Sequence, residues 1–431
     1  MFPNPQDALP LPSSPSIEQY KKLAKDLVKA CHAGGGGREI ARWADRWMAS
    51  LLDGSDQRRI NRAAHEVEEF ALRALQRADR SCVLADAQFV LARSHGFTSW
   101  ATFVSHLEAL EQAGTDAAAF EAAAEAIVRG DEQTLLQLLR QKPELIRARS
   151  AREHNATLLH YVSANGVEGY RQKSPPNAAR ITTLLLDAGA DVEAEADVYG
   201  GGCTALGLVA TSTPPKEAGV QIPVMEVLLE HGAQIEHPDL AGKGADAVYA
   251  CLANGCPEAA SYLAERTGRV GLIGAAGIGR LDIVQQLADA ADASRREMAL
   301  RYAAGYGRRE IVRLLLDRGV NVDGHHNDGQ TALFYAILGD HLDVVRLLLE
   351  RGAKSDIQTP NGPVFGAALW KAGHGGNPDR QFEIIEALLA AGGRPPARHP
   401  PVNEKIDTLL ARHGWPADPT RYWPGEEPRS T

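Results

Sequence analysis

Aromatic residues are scarce, at 6% of 431, while Ala and Leu abound and Gly reaches 41. That balance disfavours an all-β protein and points to helices separated by many tight turns. There is no excess of basic residues: 46 Lys+Arg stand against 55 Asp+Glu, a net charge of −9. Nucleic acid and anionic membranes both select basic surfaces, so neither is expected as a partner. The five cysteines are odd in number and form no C-x-x-C pair, which excludes a disulfide framework and reads as thiols in a reducing compartment. No apolar run exceeds that of Val270–Gly279, about ten residues, too short to span a bilayer. The first residues, MFPNPQDALPLPSSPS, carry no Lys or Arg and no apolar core, so a secretory signal is not expected and a cytoplasmic protein is.

Catalytic signatures are missing as well. HEVEE (65–69) has Glu69 where the second ligand of a zinc helix should stand. GAAGIGR (274–280) only mimics a phosphate loop, and neither a P-loop nor G-x-S-x-G occurs. His325 and His326 are neighbours in a turn, which does not make a metal site. No metal and no cofactor are expected, and no enzyme class is visible.

What the chain does have is one recurring phrase: LLLDAGADVE (184–193), LLEHGAQIE (228–236), LLLDRGVNVD (314–323), LLLERGAKSD (347–356) and LLAAGGRPP (388–396). Its glycines fall at 189, 232, 319, 352 and 392, and the step from 319 to 352 is 33 residues. Two worn units, around 262–270 and 283–291, fill the longer gap after 232. In the cleanest unit, from Asn327 to Lys354, Thr331 can cap a short helix, and Val344, Val345, Leu347 and Leu348 line a second. Gly352 then supplies the left-handed turn that ends it. Neither helix can bury its apolar stripe alone, so each unit must stack on neighbours.

This unit closely resembles an ankyrin repeat, with Thr331, Ala332, Leu333, Phe334 and Ala336 at the positions of the T-P-L-H-x-A opening. Weaker openings at 157–166, 204–213, 246–255, 298–307 and 364–373, and a worn first unit at 124–139, bring the count to about eight repeats. The expected fold is therefore all-α: an ankyrin-repeat solenoid over residues 118–396, preceded by a small helical domain. A Pro-rich leader is read at 1–16, the helical domain at 17–113, and a capping helix (403–414) with a Pro-rich tail within 397–431. Ile17, Tyr20, Leu23 and Leu27 mark one helix of that domain. Residues 85–110 hold two more, the first stopped by Gly96 and the second capped by Thr98 or Ser99. Gly34–Gly37 reads as a flexible loop, and the Pro-rich ends as extended or disordered. The 17–113 segment resembles the helical region preceding ankyrin arrays in many bacterial proteins.

The period is interrupted between the two helices of a unit at 166–179, 213–223 and 373–381. The first two insertions fall in adjacent units and are expected to touch, each stiffened by Pro-Pro. Both resemble segments of a bacterial ankyrin subgroup of uncharacterised function. Between them, Tyr199 precedes three glycines (200–202) at a turn tip, where a backbone or ligand can approach closely.

By the ankyrin template a groove row passes through Ala164–Asn165, Thr211–Ser212, Ala253–Asn254, Gly277–Ile278, Gly305–Tyr306, Leu338–Gly339 and Lys371–Ala372. It is small and neutral, not a platform for a strongly charged partner. His160, at the His of the opening, bonds backbone between repeats in that template. Tyr161, Tyr249, Tyr302, Phe334 and Tyr335 are read as packing between helices. The first insertion gathers Asn165, Glu168, Tyr170, Arg171 and Gln172, expected near Tyr199 and Gln221. Two readings stay open there: an internal network holding the insertion, or a pocket for a polar molecule with Glu168, Tyr170 or His160 as acid–base candidates. The ligand-contact candidates are Tyr161, Asn165, Arg171, Gln172, Tyr199, Thr211, Gln221, Asn254, Tyr306, Trp370, Lys371 and His374. The primary expectation is a monomeric, non-catalytic protein that recognises a protein or peptide through groove and loops. The alternative is a small-molecule site or enzyme built by the three insertions.

Overall fold

The computed structural model describes residues 4–12, 14–33, 37–76, 82–112, 114–235, 246–325, 329–360, 362–421 and 423. The expectations for Gly34–Gly36, His326, Asn327 and the tail beyond Trp423 lie outside those residues. The chain divides into two compact units, 1–240 and 241–431, taken in turn below. The described residues are overwhelmingly helical, arranged as the paired helices of an all-α repeat protein. No helix among them is long and apolar enough to cross a membrane.

The first unit opens with α1 (Ile17–His32), α2 (Arg38–Leu51), α3 (Gln57–Gln76), α4 (Leu84–Ser94) and α5 (Trp100–Glu111). These helices close around Tyr20, Leu27, Trp43, Met48, Phe97 and Phe103, all buried. Ser99 caps α5 by accepting from the Thr102 N–H at 3.2 Å. Within the leader, Ala8 and Leu9 are buried, Leu9 N donates to Ser94 O at 2.8 Å, and the His95 ring meets Leu9 O at 3.1 Å. Leu9 is apolar enough to hold an otherwise proline-rich, irregular segment against the end of α4.

Repeat pairs follow: α6 (Asp116–Arg129) with α7 (Glu132–Gln141), then a 3-10 turn at Leu158–Ser163 paired with α8 (Ala178–Asp187), then α9 (Ala205–Ala210) with α11 (Gln221–Glu230). The opening at 157–166 tightens to a 3-10 turn because Thr157 and His160 bond each other and Ala164, at φ 46°, ends it. In the second insertion Pro214 and Pro215 start a short helix, α10 (Thr213–Glu217), and so do not stiffen a loop. Proline suits a helix's first turn, where its missing N–H is not needed.

The second unit contains α12 (Ala247–Ala253), α13 (Pro257–Ala264), α14 (Leu272–Ile278), α15 (Leu281–Leu287), α16 (Ala293–Gly305), α17 (Arg309–Asp317), α18 (Ala332–Leu338) and α19 (Leu342–Glu350). A two-residue hairpin then pairs β1 (Gln358–Thr359) with β2 (Gly362–Pro363), ahead of α20 (Val364–Gly373), α21 (Pro378–Ala390) and α22 (Glu404–Arg412). First helices stack in series, α12 on α14 on α16 on α18 on α20. Asp246, Asp292, Thr331, Asn377 and Asn403 cap helices through side-chain oxygens. Gly352 takes φ 86° behind α19, as the repeat requires. The third insertion shrinks to residues 373–377, because Asn377 starts α21.

Candidate functional site

The polar residues of the first insertion fold inward. Glu168 is 0% exposed, with its Oε1 2.9 Å from Arg152 Nη1 and 3.3 Å from Arg171 Nη1. Arg171 Nη1 lies 2.7 Å from Glu121 Oε2, and Arg152 also pairs with Glu121. Two carboxylates and two guanidiniums thus neutralise one another among α6, the 149–154 segment and the insertion. Tyr161 donates to Glu168 at 3.3 Å, and Arg171 lies over the Tyr161 and Tyr170 rings at 5.9 and 5.4 Å.

Burial alone would raise the Glu168 carboxyl, but Arg152, His154 and Arg171 outweigh it and hold the group well below the usual carboxylate range. A buried carboxylate fixed as an anion is not a base poised near neutral pH. Of the two readings left open for 160–172, the geometry favours the internal network: Glu168, Arg171, Tyr161 and His160 are buried, and each has a polar partner within the protein. His160 Nδ1 faces the Thr157 N–H and hydroxyl, and Nε2 faces Cys203 O at 3.2 Å in the next repeat. Burial lowers its pKa to about 4. Gln172 donates to Val167 O at 2.9 Å and holds the insertion in shape.

Other candidates turn away from that network. Tyr199, 61% exposed, donates to Asn165 Oδ1 at 2.7 Å, and Asn165 in turn reaches Leu208 O and Thr211 Oγ1 at 3.2 and 3.5 Å. Tyr199 and Gly200–Gly202 all take positive φ, from 53° to 107°, which explains three glycines in a row. Gln221 is buried, and its amide donates to Val209 O, Ala210 O and Ser212 O at the end of α9, apart from the Glu168 network.

The second unit presents something different. Tyr249 on α12 and Tyr302 on α16 meet edge to face at 5.2 Å, reaching past α14. Helix α14 carries Gly274 and Gly277, and a Cβ on Gly277 would lie 2.5 Å from Leu252. Without those side chains α12 and α14 approach closely and leave room for rings from either side. Tyr302 stacks with Tyr306 (6.5 Å) and Tyr335 (6.2 Å), and Tyr335 meets Phe334 at 5.7 Å. The Tyr306 hydroxyl donates to Leu252 O at 2.5 Å. All five rings are partly exposed, so they form a continuous row as well as packing between helices.

The row runs into a cavity of about 610 Å³ lined by Phe334, Trp370, Pro396, Arg398, Arg421 and Trp423, among others. Trp370 is 43% exposed and stacks on His374 (4.8 Å, 10°), whose edge meets Trp423 at 5.3 Å. Lys371 is half-buried and Asn254 exposed; Asn254 donates to Ala250 O of the preceding helix at 2.9 Å. Among the described residues no group of three metal-type ligands is found. Sequence reasoning missed the row because its members sit on separate repeats; the glycines of α14 were the available signal.

Stacked helix pairs with left-handed glycines define an all-α helical-repeat protein, whose second unit carries the partly exposed aromatic row. Residues 272–359 match the family described as ankyrin repeats, in three copies. No curated protein matches the chain.

Proposed function

We propose that this chain recognises a protein or peptide partner, without covalent chemistry, through the aromatic face of its second unit. The row from Tyr249 to Trp370, partly exposed and ending in a cavity, is the observation that carries the reading. Ankyrin repeats generally serve as protein-interaction modules, and large rigid rings give much contact area at small entropy cost. Asn254, Tyr306, Trp370, Lys371 and His374 are the proposed contact residues. In this reading residues 118–396 supply the repeats, and residues 17–113 cap the first of them. The alternative, a small-molecule site or enzyme built by the insertions, loses support where Glu168 and Arg171 are consumed by each other and by Glu121 and Arg152.

A random-peptide display selection on the full chain tests the proposal. Enriched peptides should lose binding to Trp370→Ala and Asn254→Arg, each shown to be folded by a cooperative melting transition. Peptides that bind both variants as well as the parent would refute it.

A further inference from the structure

The cavity beside α20 is more than the end of an aromatic row, because two segments outside the repeats complete it. One is the 396–400 loop, held by buried His399, whose ring nitrogens meet Pro400 O at 2.9 Å and Trp415 O at 3.3 Å. The other is 418–423, tied to the first by Asp418 N donating to His399 O at 2.9 Å. Each segment brings one arginine, Arg398 and Arg421, and both are exposed. Among the described residues neither has a carboxylate within 4.0 Å. Asp418 is the acidic group whose field they share, and its Oδ1 is occupied by the Thr420 N–H and hydroxyl at 3.0 and 2.6 Å.

Flat ring faces beside guanidiniums without a carboxylate in reach call for an apolar ring flanked by anions. Proline meets the first need at low entropic cost, since a polyproline II strand is already extended and leaves its rings free for aromatic grooves. Carboxylates meet the second, through charge-assisted bonds to guanidinium. A volume of about 610 Å³ lies within the usual range for enclosed ligands and fits a few residues of peptide.

Resting on the recognition function proposed above, we infer that this cavity takes an extended, proline-containing acidic peptide segment, its rings on Trp370 and Trp423 and its carboxylates on Arg398 and Arg421. The probe is a labelled Glu-Pro-Pro-Glu-Pro peptide, capped at both ends and titrated against the full chain by fluorescence anisotropy. Gln-for-Glu and Ala-for-Pro versions serve as comparisons. The Gln-for-Glu peptide should bind at least about tenfold more weakly, the loss expected for one charge-assisted contact, and the Ala-for-Pro peptide should also bind more weakly, because it loses the rings and the preset extended backbone. Arg398→Met with Arg421→Met should erase the preference for Glu over Gln, and Trp370→Ala should weaken all three peptides.

Equal binding of the Glu and Gln peptides, or no binding at all, would overturn the inference. Binding seen only after deletion of residues 424–431, which read Pro-Gly-Glu-Glu-Pro-Arg-Ser-Thr, would assign the cavity to this chain's own segment and overturn the separate partner. If display enriches neutral peptides that still depend on Trp370 and Asn254, this inference fails while the recognition function stands. If no enriched peptide depends on either residue, the recognition function itself fails.

Discussion

Glu168→Gln removes one negative charge from a buried set of two carboxylates and two guanidiniums, leaving Arg152 and Arg171 to share Glu121, with the partly exposed Glu125 3.6 Å from Arg171. At 2.9 Å from Arg152, an effective dielectric of about 20 gives roughly 6 kcal/mol of attraction to that guanidinium alone. Repulsion from Glu121 and the relief of desolvating Glu168 offset part of it. Removing one member of a buried ion pair typically costs about 3–5 kcal/mol, because a buried charge is left uncompensated. For a unit of this size that corresponds to a fall of roughly 6–20 °C in melting temperature. Calorimetry on the full chain reads the transition, and hydrogen exchange of α6 amides assigns it to the first unit. Arg152→Met should cost a similar amount, but the double variant restores neutrality through Glu121 and Arg171. It should therefore lose at least about 1 kcal/mol less than the two singles together. A shift under about 2 °C for Glu168→Gln, or strict additivity of the pair, would refute the network as a stabilising unit.

The first unit should also be acid-sensitive before its carboxylates titrate. Burial lowers His95 to about 3 and His106 and His160 to about 4, so all three stay neutral when folded and take up protons on unfolding. Their stabilisation is complete above the unfolded value near 6.5 and is lost as pH falls towards 4, amounting to about 2 kcal/mol per histidine by pH 5. Glu121 and Glu168, both depressed, add a further loss only below about pH 4; melting temperatures at pH 7, 6 and 5 check the order, and a flat profile would contradict it. In the second unit Gly277→Ala places a Cβ 2.5 Å from Leu252 and should cost about 1–3 kcal/mol through overpacking, read by denaturant unfolding. The same variant should shift the near-ultraviolet signal of the tyrosines, because Leu252 must give way and its carbonyl holds the Tyr306 hydroxyl.

The repeat was legible because its positions are imposed locally. A capping Thr331, a two-helix apolar pattern and Gly352 at φ 86° each follow from the rules for helix ends. The first insertion was legible only in part. Its residues were readable as a polar group, but their partners Glu121 and Arg152 lie outside it, with Arg152 in the 149–154 segment and Glu121 on α6. An insertion whose charges are answered from elsewhere looks, in one dimension, like an exposed site. The docking of the leader was hidden for a related reason: its proline content masked Leu9, a single buried residue in an otherwise irregular segment. The aromatic row was hidden differently, since each tyrosine satisfied an interhelical packing role on its own and only the stacking of repeats lines them up.

Departures from the repeat pattern therefore have opposite outcomes in the two units. In the first, an inserted carboxylate and guanidinium meet a second pair and are consumed as structure. In the second, the departure is a loss of side chains: Gly274 and Gly277 thin α14 until rings from α12 and α16 meet past it at 5.2 Å. A repeat of ordinary bulk at that position would hold Tyr249 and Tyr302 apart and break the row. Close packing of α14 alone would have been served by alanine at less cost in backbone entropy wherever a Cβ fits, but at 274 and 277 a Cβ meets Val248 and Leu252 within 3.1 Å. The glycines thus bring α12 near enough for its tyrosine to join the others. The row they permit stays partly uncovered, and that exposure is what favours the proposal of recognition at that face over the more polar insertion.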